Sequence, residues 1–360
     1  MARMTAAEDA DTAVDRTDPV PAEPLTAWLR AEVPDVRVGA GPVGVERISG
    51  GHSNLTYRIV DGEGTAFALR RPPMGMVLAT AHDMGREWKF ISALAPKGVP
   101  VAPPVAFCTD TAVIGAEFYV MRFVDGAVLG DAASGNRLAA GAPRRTAGME
   151  TVEVLARLHA VDPDEAGLAD LRRDGSYLER QLRRWHRQVH ASAVEDLRAV
   201  DAAHERLVAR AADLPPSDVR IAHGDYRPGN LAYAADGRIQ AIFDWELATL
   251  GDPLADLGWL LASWGRPADT VPVTIEGPNQ VEGYPDGDEL AARYAQVSGR
   301  DLSDLDFYVA FARWRAACIQ AGVYSRYVGG AMGTGEVDGG TERLDGLYRQ
   351  AEAALAALGG

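Results

Sequence analysis

His223-Gly224-Asp225-Tyr226-Arg227-Pro228-Gly229-Asn230, followed by Ile242-Phe243-Asp244-Trp245-Glu246, is the stretch on which the fold turns. An Asp and an Asn stand five residues apart on a loop between two predicted strands, and a second Asp follows at the end of the next hairpin. Phosphoryl transfer from a nucleotide asks little covalent chemistry of a protein. It asks for a group that orients the attacking hydroxyl and for metal ligands that bridge the phosphates. Asp225 can face the nucleophile, Asn230 can turn its amide oxygen to a metal, and Asp244 can supply a second metal oxygen. Hard oxygen ligands of this kind suit magnesium. Asp and Asn on a turn are by themselves ordinary turn chemistry. Their joint occurrence with the downstream Asp and with the Gly251-Asp252-Pro253 helix start is far more specific.

Working outward, Asp252 is placed as an N-cap with Pro253 at the first helical position. Helices are predicted over 151–160, 176–190, 194–212, 253–263, 288–297, 305–327 and 342–358. Phe307, Phe311, Trp314 and Cys318 recur at helical spacing and mark a buried face. Toward the N-terminus a short helix over 23–33 precedes strands at 45–48, 55–60 and 66–69, with Asp61-Gly62-Glu63-Gly64 as a hairpin turn. A helix over 81–94 and strands near 105–108 and 118–123 follow, broken by Asp125-Gly126. Segment 267–287, rich in Gly, Pro and Asp, reads as a loop or lid. The expected layout is a leader over 1–22, a small β-rich lobe over 23–125 and a larger helical lobe over 126–360. A cleft between two such lobes is a natural nucleotide site.

His-Gly-Asp followed by Asn and then by Asp after a short apolar strand resembles the signature of the aminoglycoside phosphotransferase family. The run from Asp244 to Leu257 is similar to one branch of it, the kinase domain fused to some acyl-CoA dehydrogenases. The resemblance covers 45–330 and is dense from 219 to 261. It implies an α+β, protein-kinase-like two-lobe fold and an ATP- and magnesium-dependent kinase that phosphorylates a small-molecule alcohol. By the same resemblance Asp225 is the catalytic base, His223 braces the loop, Asn230 and Asp244 hold Mg2+, and Asp256 points back at the catalytic loop.

The nucleotide-binding expectations lie in the first lobe. Ser49, Gly50, Gly51, His52, Ser53 and Asn54 link two predicted strands, as a loop over phosphates would. Arg70 stands where kinases of this type carry a Lys, and Glu87 is its expected helix partner; an Arg can clamp phosphates and hold a carboxylate bidentately. Arg122 and Phe123 are placed near adenine by the resemblance alone.

Composition narrows the partners. The net charge of −15 and pI near 4.9 speak against nucleic acid or an anionic membrane. Two distant cysteines, Cys108 and Cys318, fit a reducing, cytoplasmic setting. The acidic first twenty residues read as a disordered leader rather than a signal peptide. No stretch reaches the roughly 18 apolar residues of a membrane span. The expected partner is a small hydroxyl substrate, and the chain is a monomer or homodimer. Acceptor contacts are expected within 130–215 and 265–360.

His159 reads as a packed or capping residue. His186 and His190 are four apart on a polar helix, with His204 further on, and no third ligand accompanies them in sequence. The arginines at 172, 173, 180, 183, 184 and 187 read as a solvated face. No G-x-S-x-G nucleophile elbow occurs, which excludes that hydrolase class. Two functional classes stay open: a kinase, acting on an antibiotic or on a metabolic hydroxyacyl compound, and a silent nucleotide-binding regulatory module.

Overall fold

The structure is a computed structural model and describes residues 20–34, 36–48, 54–73, 83–266, 277–329 and 338–359. The expected leader (save its last residues, 20–22), the phosphate-loop residues Ser49 to Ser53 and residues 267–276 of the loop 267–287 lie outside the described residues. The chain divides into two units. The first comprises 1–85 and 105–123, and the second 86–104 and 124–360.

The first unit is a five-stranded sheet in the order β1-β2-β3-β5-β4, with β1 (Gly44–Ile48), β2 (Leu55–Val60), β3 (Ala66–Arg71), β4 (Pro104–Cys108) and β5 (Phe118–Arg122). β1 pairs with β2, β2 with β3, and β3 with β5, all antiparallel. Strict alternation along β2 sends Leu55, Tyr57 and Ile59 inward. They join Leu25 and Leu29 of helix α1 (Ala22–Glu32), and Val33 just past its end, in one apolar core. The β2–β3 turn is held by Asp61. Its Oδ1 accepts from the backbone N–H groups of Glu63 at 3.0 Å and Thr65 at 2.8 Å. That is the local chemistry Asp offers a hairpin.

The second unit is mostly helical: α2 (Met84–Leu94, whose first two residues cluster with the first unit), α3 (Ala132–Gly135), α4 (Ala142–Ala160), α5 (Tyr177–His190), α6 (Arg198–Asp213), α7 (Pro253–Trp264), α8 (Gly287–Ser298), α9 (Leu305–Val328) and α10 (Asp338–Leu358). Two small sheets hold the loop region. One has the order β6-β8-β9, with β6 (Ala127–Val128), β8 (Leu231–Tyr233) and β9 (Ile239–Ile242). The other pairs β7 (Arg220–Ala222) with β10 (Thr249–Gly251). The stripe of Phe307, Phe311, Trp314 and Cys318 is buried, at 2%, 1%, 0% and 0% exposure, against α5, α6 and α10. Helix α7 is buried on nearly all faces, which is why it reads as an almost uninterrupted apolar run.

Three local expectations differ from what is seen. Helix α4 begins at Ala142 rather than at 151, with Gly148 inside it. A Cβ at Gly148 would meet the Pro285 ring at 2.3 Å, so a close approach accounts for glycine inside this helix. Helix α6 begins at Arg198 rather than at 194, because Asp196 accepts the Arg198 N–H at 3.2 Å and holds the chain in a turn before it. Residues 86–104, read from sequence as part of the first lobe, cluster with the second unit. There Ile242 N–H donates to Pro100 O at 2.7 Å and Phe90 stacks on Trp245. Cys108 and Cys318 are both free and buried. Among the described residues no helix is long and apolar enough to cross a membrane.

Candidate active site

The loop between β7 and β8 begins with backbone held by a buried carboxylate. Asp256, in the first turn of α7, accepts the His223 N–H at 2.6 Å on Oδ2 and the Gly224 N–H at 2.8 Å on Oδ1. Gly224 has φ +84°, and a Cβ there would meet Leu247 O at 2.6 Å, so both conformation and space require glycine. Arg315 of α9, itself 5% exposed, donates to the Gly224 carbonyl. The turn is thus fixed from both sides.

His223 is fully buried. Its Nδ1 accepts from the Asp225 N–H at 3.2 Å, which leaves Nε2 to donate to Phe243 O at 2.9 Å. One imidazole in one tautomer therefore ties the Asp225 backbone to the strand end that precedes Asp244.

The Asp225 carboxylate is about one-fifth exposed, at 21%. Trp259 Nε1–H donates to Oδ1 at 2.7 Å, and Asn230 Nδ2 donates to Oδ2 at 2.8 Å. Arg227 Nε reaches Oδ2 at 3.3 Å. Asn230 Nδ2 also donates to Asp225 O at 2.8 Å, so both of its amide hydrogens are engaged. The reverse amide orientation would set an oxygen against two oxygens. The Asn230 amide oxygen is therefore the end that faces away from Asp225, as a metal ligand must.

Asn230 and Asp244 are neighbours across the ladder. Leu231 pairs with Ile242, and the Phe243 N–H donates to Asn230 O at 2.8 Å. Asp244 itself is left-handed, with φ 63° and ψ 66°, the one such non-glycine among the described residues. An L-residue held there costs about 1 kcal/mol or more, and such conformations gather at functional positions. An amide oxygen and a carboxylate, carried on adjoining strand ends, are the donor types that a hard divalent cation takes.

Beneath the loop, His159 is fully buried between Tyr294 and Asp256. Its Nε2 donates to Asp256 Oδ2 at 3.4 Å and its Nδ1 accepts from the Tyr294 hydroxyl at 2.7 Å. Burial pushes the imidazole below its ordinary 6.5, against the pull of Asp256. Burial alone would push Asp256 up, but hydrogen bonds from His159 and from the Gly224 backbone outweigh it and hold the carboxyl below 3.8.

A pH effect follows from the depressed imidazole. As pH falls below 6.5 the unfolded chain takes up a proton that the folded chain refuses, so folding stability falls with pH. The slope from this group is at most about 1.4 kcal/mol per pH unit. Urea unfolding between pH 7 and 5.5 should show His159→Asn with a flatter profile than wild type. Parallel profiles would remove His159 as the source.

The first unit's candidates are placed as follows. Asn54 is buried at the start of β2. Arg70 lies on β3, opposite Thr56 and Tyr119. The Arg122 guanidinium lies over Phe67 at 4.8 Å, and Arg58 lies over Phe123 at 5.5 Å. Glu87, on α2 in the second unit, is buried at 1%. In the arginine-rich stretch Arg172 pairs with Asp164, and Arg180 donates to the carbonyls of Asp174 and Gly175.

Sequence reading missed Trp259 and Arg315. Arg315 also lies over the Trp259 ring at 4.3 Å, fixing the indole that faces Asp225. A charged residue inside the apolar stripe of α9 was the available signal, because a buried Arg must be paired.

A profile of the phosphotransferase enzyme family matches residues 44–308. Acyl-CoA dehydrogenase family member 11 of Gallus gallus is 35% identical over 300 residues, covering 80% of this chain and 37% of that protein. The chain thus spans a little over a third of the length of such curated relatives. A solved structure from Ralstonia eutropha, named for aminoglycoside phosphotransferase, is 33% identical with TM-score 0.75, covering 94% of this chain and 99% of that one. The GDP complex of aminoglycoside 2′-phosphotransferase-IIIa shares the fold, with TM-score 0.59 at 17% identity over 91% of this chain and 97% of that one. The fold is α+β and protein-kinase-like.

Proposed function

From the premise that this chain belongs to the phosphotransferase enzyme family, we propose that it transfers the γ-phosphoryl group of ATP to a hydroxyl of a small molecule. The observation that carries the reading is Asn230. Its amide nitrogen is fully engaged by Asp225, which turns its oxygen away from that carboxylate; in this reading that oxygen and Asp244 take the cation.

In this reaction the substrate hydroxyl oxygen forms the new bond to phosphorus as the bond to the β-phosphate oxygen breaks. The hydroxyl proton goes to the Asp225 carboxylate, and ADP leaves. Asp225 accepts from Trp259 and Asn230 and still has lone pairs for the incoming hydroxyl. Both donors hold the carboxylate in one orientation, and orientation is most of what this chemistry needs. Magnesium, when bound, would be held by the Asn230 amide oxygen and the Asp244 carboxylate and would neutralise phosphate charge. Arg70 steadies the phosphates in place of a Lys.

Relatives at 35% identity carry acyl-CoA dehydrogenase in their names, which makes a hydroxyacyl thioester the first acceptor class to test. Aminoglycosides and macrolides come second, with nucleosides as a third group. The test is a screen for ADP and GDP formation across these acceptors, with and without magnesium. The expected result is magnesium-dependent transfer to one class. Tight nucleotide binding with no transfer to any acceptor would support the silent regulatory module instead.

Trp259→Phe keeps the ring over Arg315 and removes the N–H. We expect kcat to fall about tenfold, the worth of one hydrogen bond to a charged group, with nucleotide KM unchanged. A matched rise in KM at constant kcat would place Trp259 in binding rather than in positioning Asp225.

A further inference from the structure

Helix α5 carries His186 and His190 four residues apart, so both rings leave the same face of its last turns. In sequence they have no third partner. The fold supplies one. Asp201, in the first turn of α6, brings its Oδ1 to 3.1 Å from His186 Nε2 and 2.8 Å from His190 Nε2, and the two Nε2 atoms are 3.2 Å apart. Three lone-pair donors thus converge on one point, where separate hydrogen bonds would need only pairs.

We propose that His186, His190 and Asp201 form a binding site for a divalent transition-metal ion of the zinc class, distinct from the phosphoryl-transfer residues. The first argument is metric. Ligands about 2.0–2.1 Å from a metal stand about 2.9 Å apart in an octahedral site and about 3.3 Å apart in a tetrahedral one. The observed triangle, at 2.8, 3.1 and 3.2 Å, lies close to that range. An ion about 2.1 Å from all three would sit about 1.1 Å out of their plane. The second argument is chemical. Two imidazole nitrogens and one carboxylate oxygen suit zinc, cobalt or nickel, whereas magnesium takes oxygen ligands.

The third argument is preorganisation. The His204 ring lies against the His186 ring at 3.9 Å and 14°, and Trp314 backs His204 at 5.4 Å. The His186 plane is therefore fixed before any ion arrives, which lowers the ordering cost of binding. The three side chains are 32%, 45% and 38% exposed. Water can complete the coordination and the ion can exchange with solvent. Bound there, it clasps the end of α5 to the start of α6 across residues 191–197.

The test uses tag-free, full-length protein dialysed free of metal. Zinc binding is measured by titration calorimetry in excess magnesium, which occupies hard oxygen sites, and cobalt binding by its visible absorption. One ion per chain is expected, together with a zinc-dependent rise in melting temperature. His190→Gln and His186→Gln are each expected to weaken binding at least tenfold and abolish the melting shift, as is Asp201→Asn. These changes lie at the surface, and circular dichroism checks the fold of each variant. Asp244→Asn is expected to keep the zinc site, which separates it from the proposed magnesium ligands. Unchanged stoichiometry and affinity in the His186→Gln, His190→Gln double variant would overturn the proposal. So would the absence of zinc binding to the wild-type chain, or loss of binding in Asp244→Asn alone.

Discussion

Asp225→Asn is expected to lower kcat by about a thousandfold or more while nucleotide affinity stays within a few-fold. The change preserves size but removes the proton acceptor. It also disturbs geometry, because a side-chain amide offers only one oxygen. Trp259 Nε1 and Asn230 Nδ2 each donate to a separate Asp225 oxygen, at 2.7 and 2.8 Å, so one of them would face an NH2 group. Steady-state kinetics on the acceptor found by screening, with nucleotide binding followed separately, checks both parts. Wild-type turnover in this variant would end the assignment of Asp225 as base. Asp225→Ala is expected to show the same loss.

The second large effect is on stability. Asp256→Ala should cost about 3–5 kcal/mol, because it removes the partner of several buried donors at once. The backbone N–H groups of His223 and Gly224 would lose the carboxylate that accepts them at 2.6 and 2.8 Å. His159 Nε2 would lose its partner as well. Asp256→Asn should be milder, since one acceptor oxygen survives. Denaturant unfolding of the three proteins measures the series. A loss below about 1 kcal/mol for Asp256→Ala would mean that water reaches these groups, contrary to their burial.

These residues differ in how openly the sequence declared them. The loop that carries Asp225, Asn230 and Asp244 and the helix start that carries Asp256 were legible because the proposed chemistry demands given side-chain types at short spacings. The strands of the first unit were legible through period-two alternation, as in Leu55, Tyr57 and Ile59. Helix α7 was legible as an apolar run, but that reading hid Trp259. An indole is core by default, and its N–H gains a role only where packing sets α7 against the loop. Arg315 was hidden for the same reason, being one of two arginines, with Arg313, among the buried apolar residues of α9. The first turns of α4 were not legible: they include Gly148, a poor helix former that is kept where the helix packs on Pro285. His186 and His190 stood in plain view, but their third ligand sits on the next helix, eleven residues beyond His190.

The second unit takes two separate pieces of chain, 86–104 and 124–360. No single cut isolates it. A fragment starting at 124 would lack Pro100, the acceptor for the Ile242 amide, and Phe90, which stacks on Trp245 two residues before Leu247. It would also lack Arg86, which donates to the Ala248 carbonyl. Each loss falls on the strand end and turn that carry Asp244. Splitting or grafting this protein between residues 123 and 124 would therefore leave the downstream aspartate on unsupported backbone. An excision that spares the proposed catalytic residues by sequence would not spare their footing.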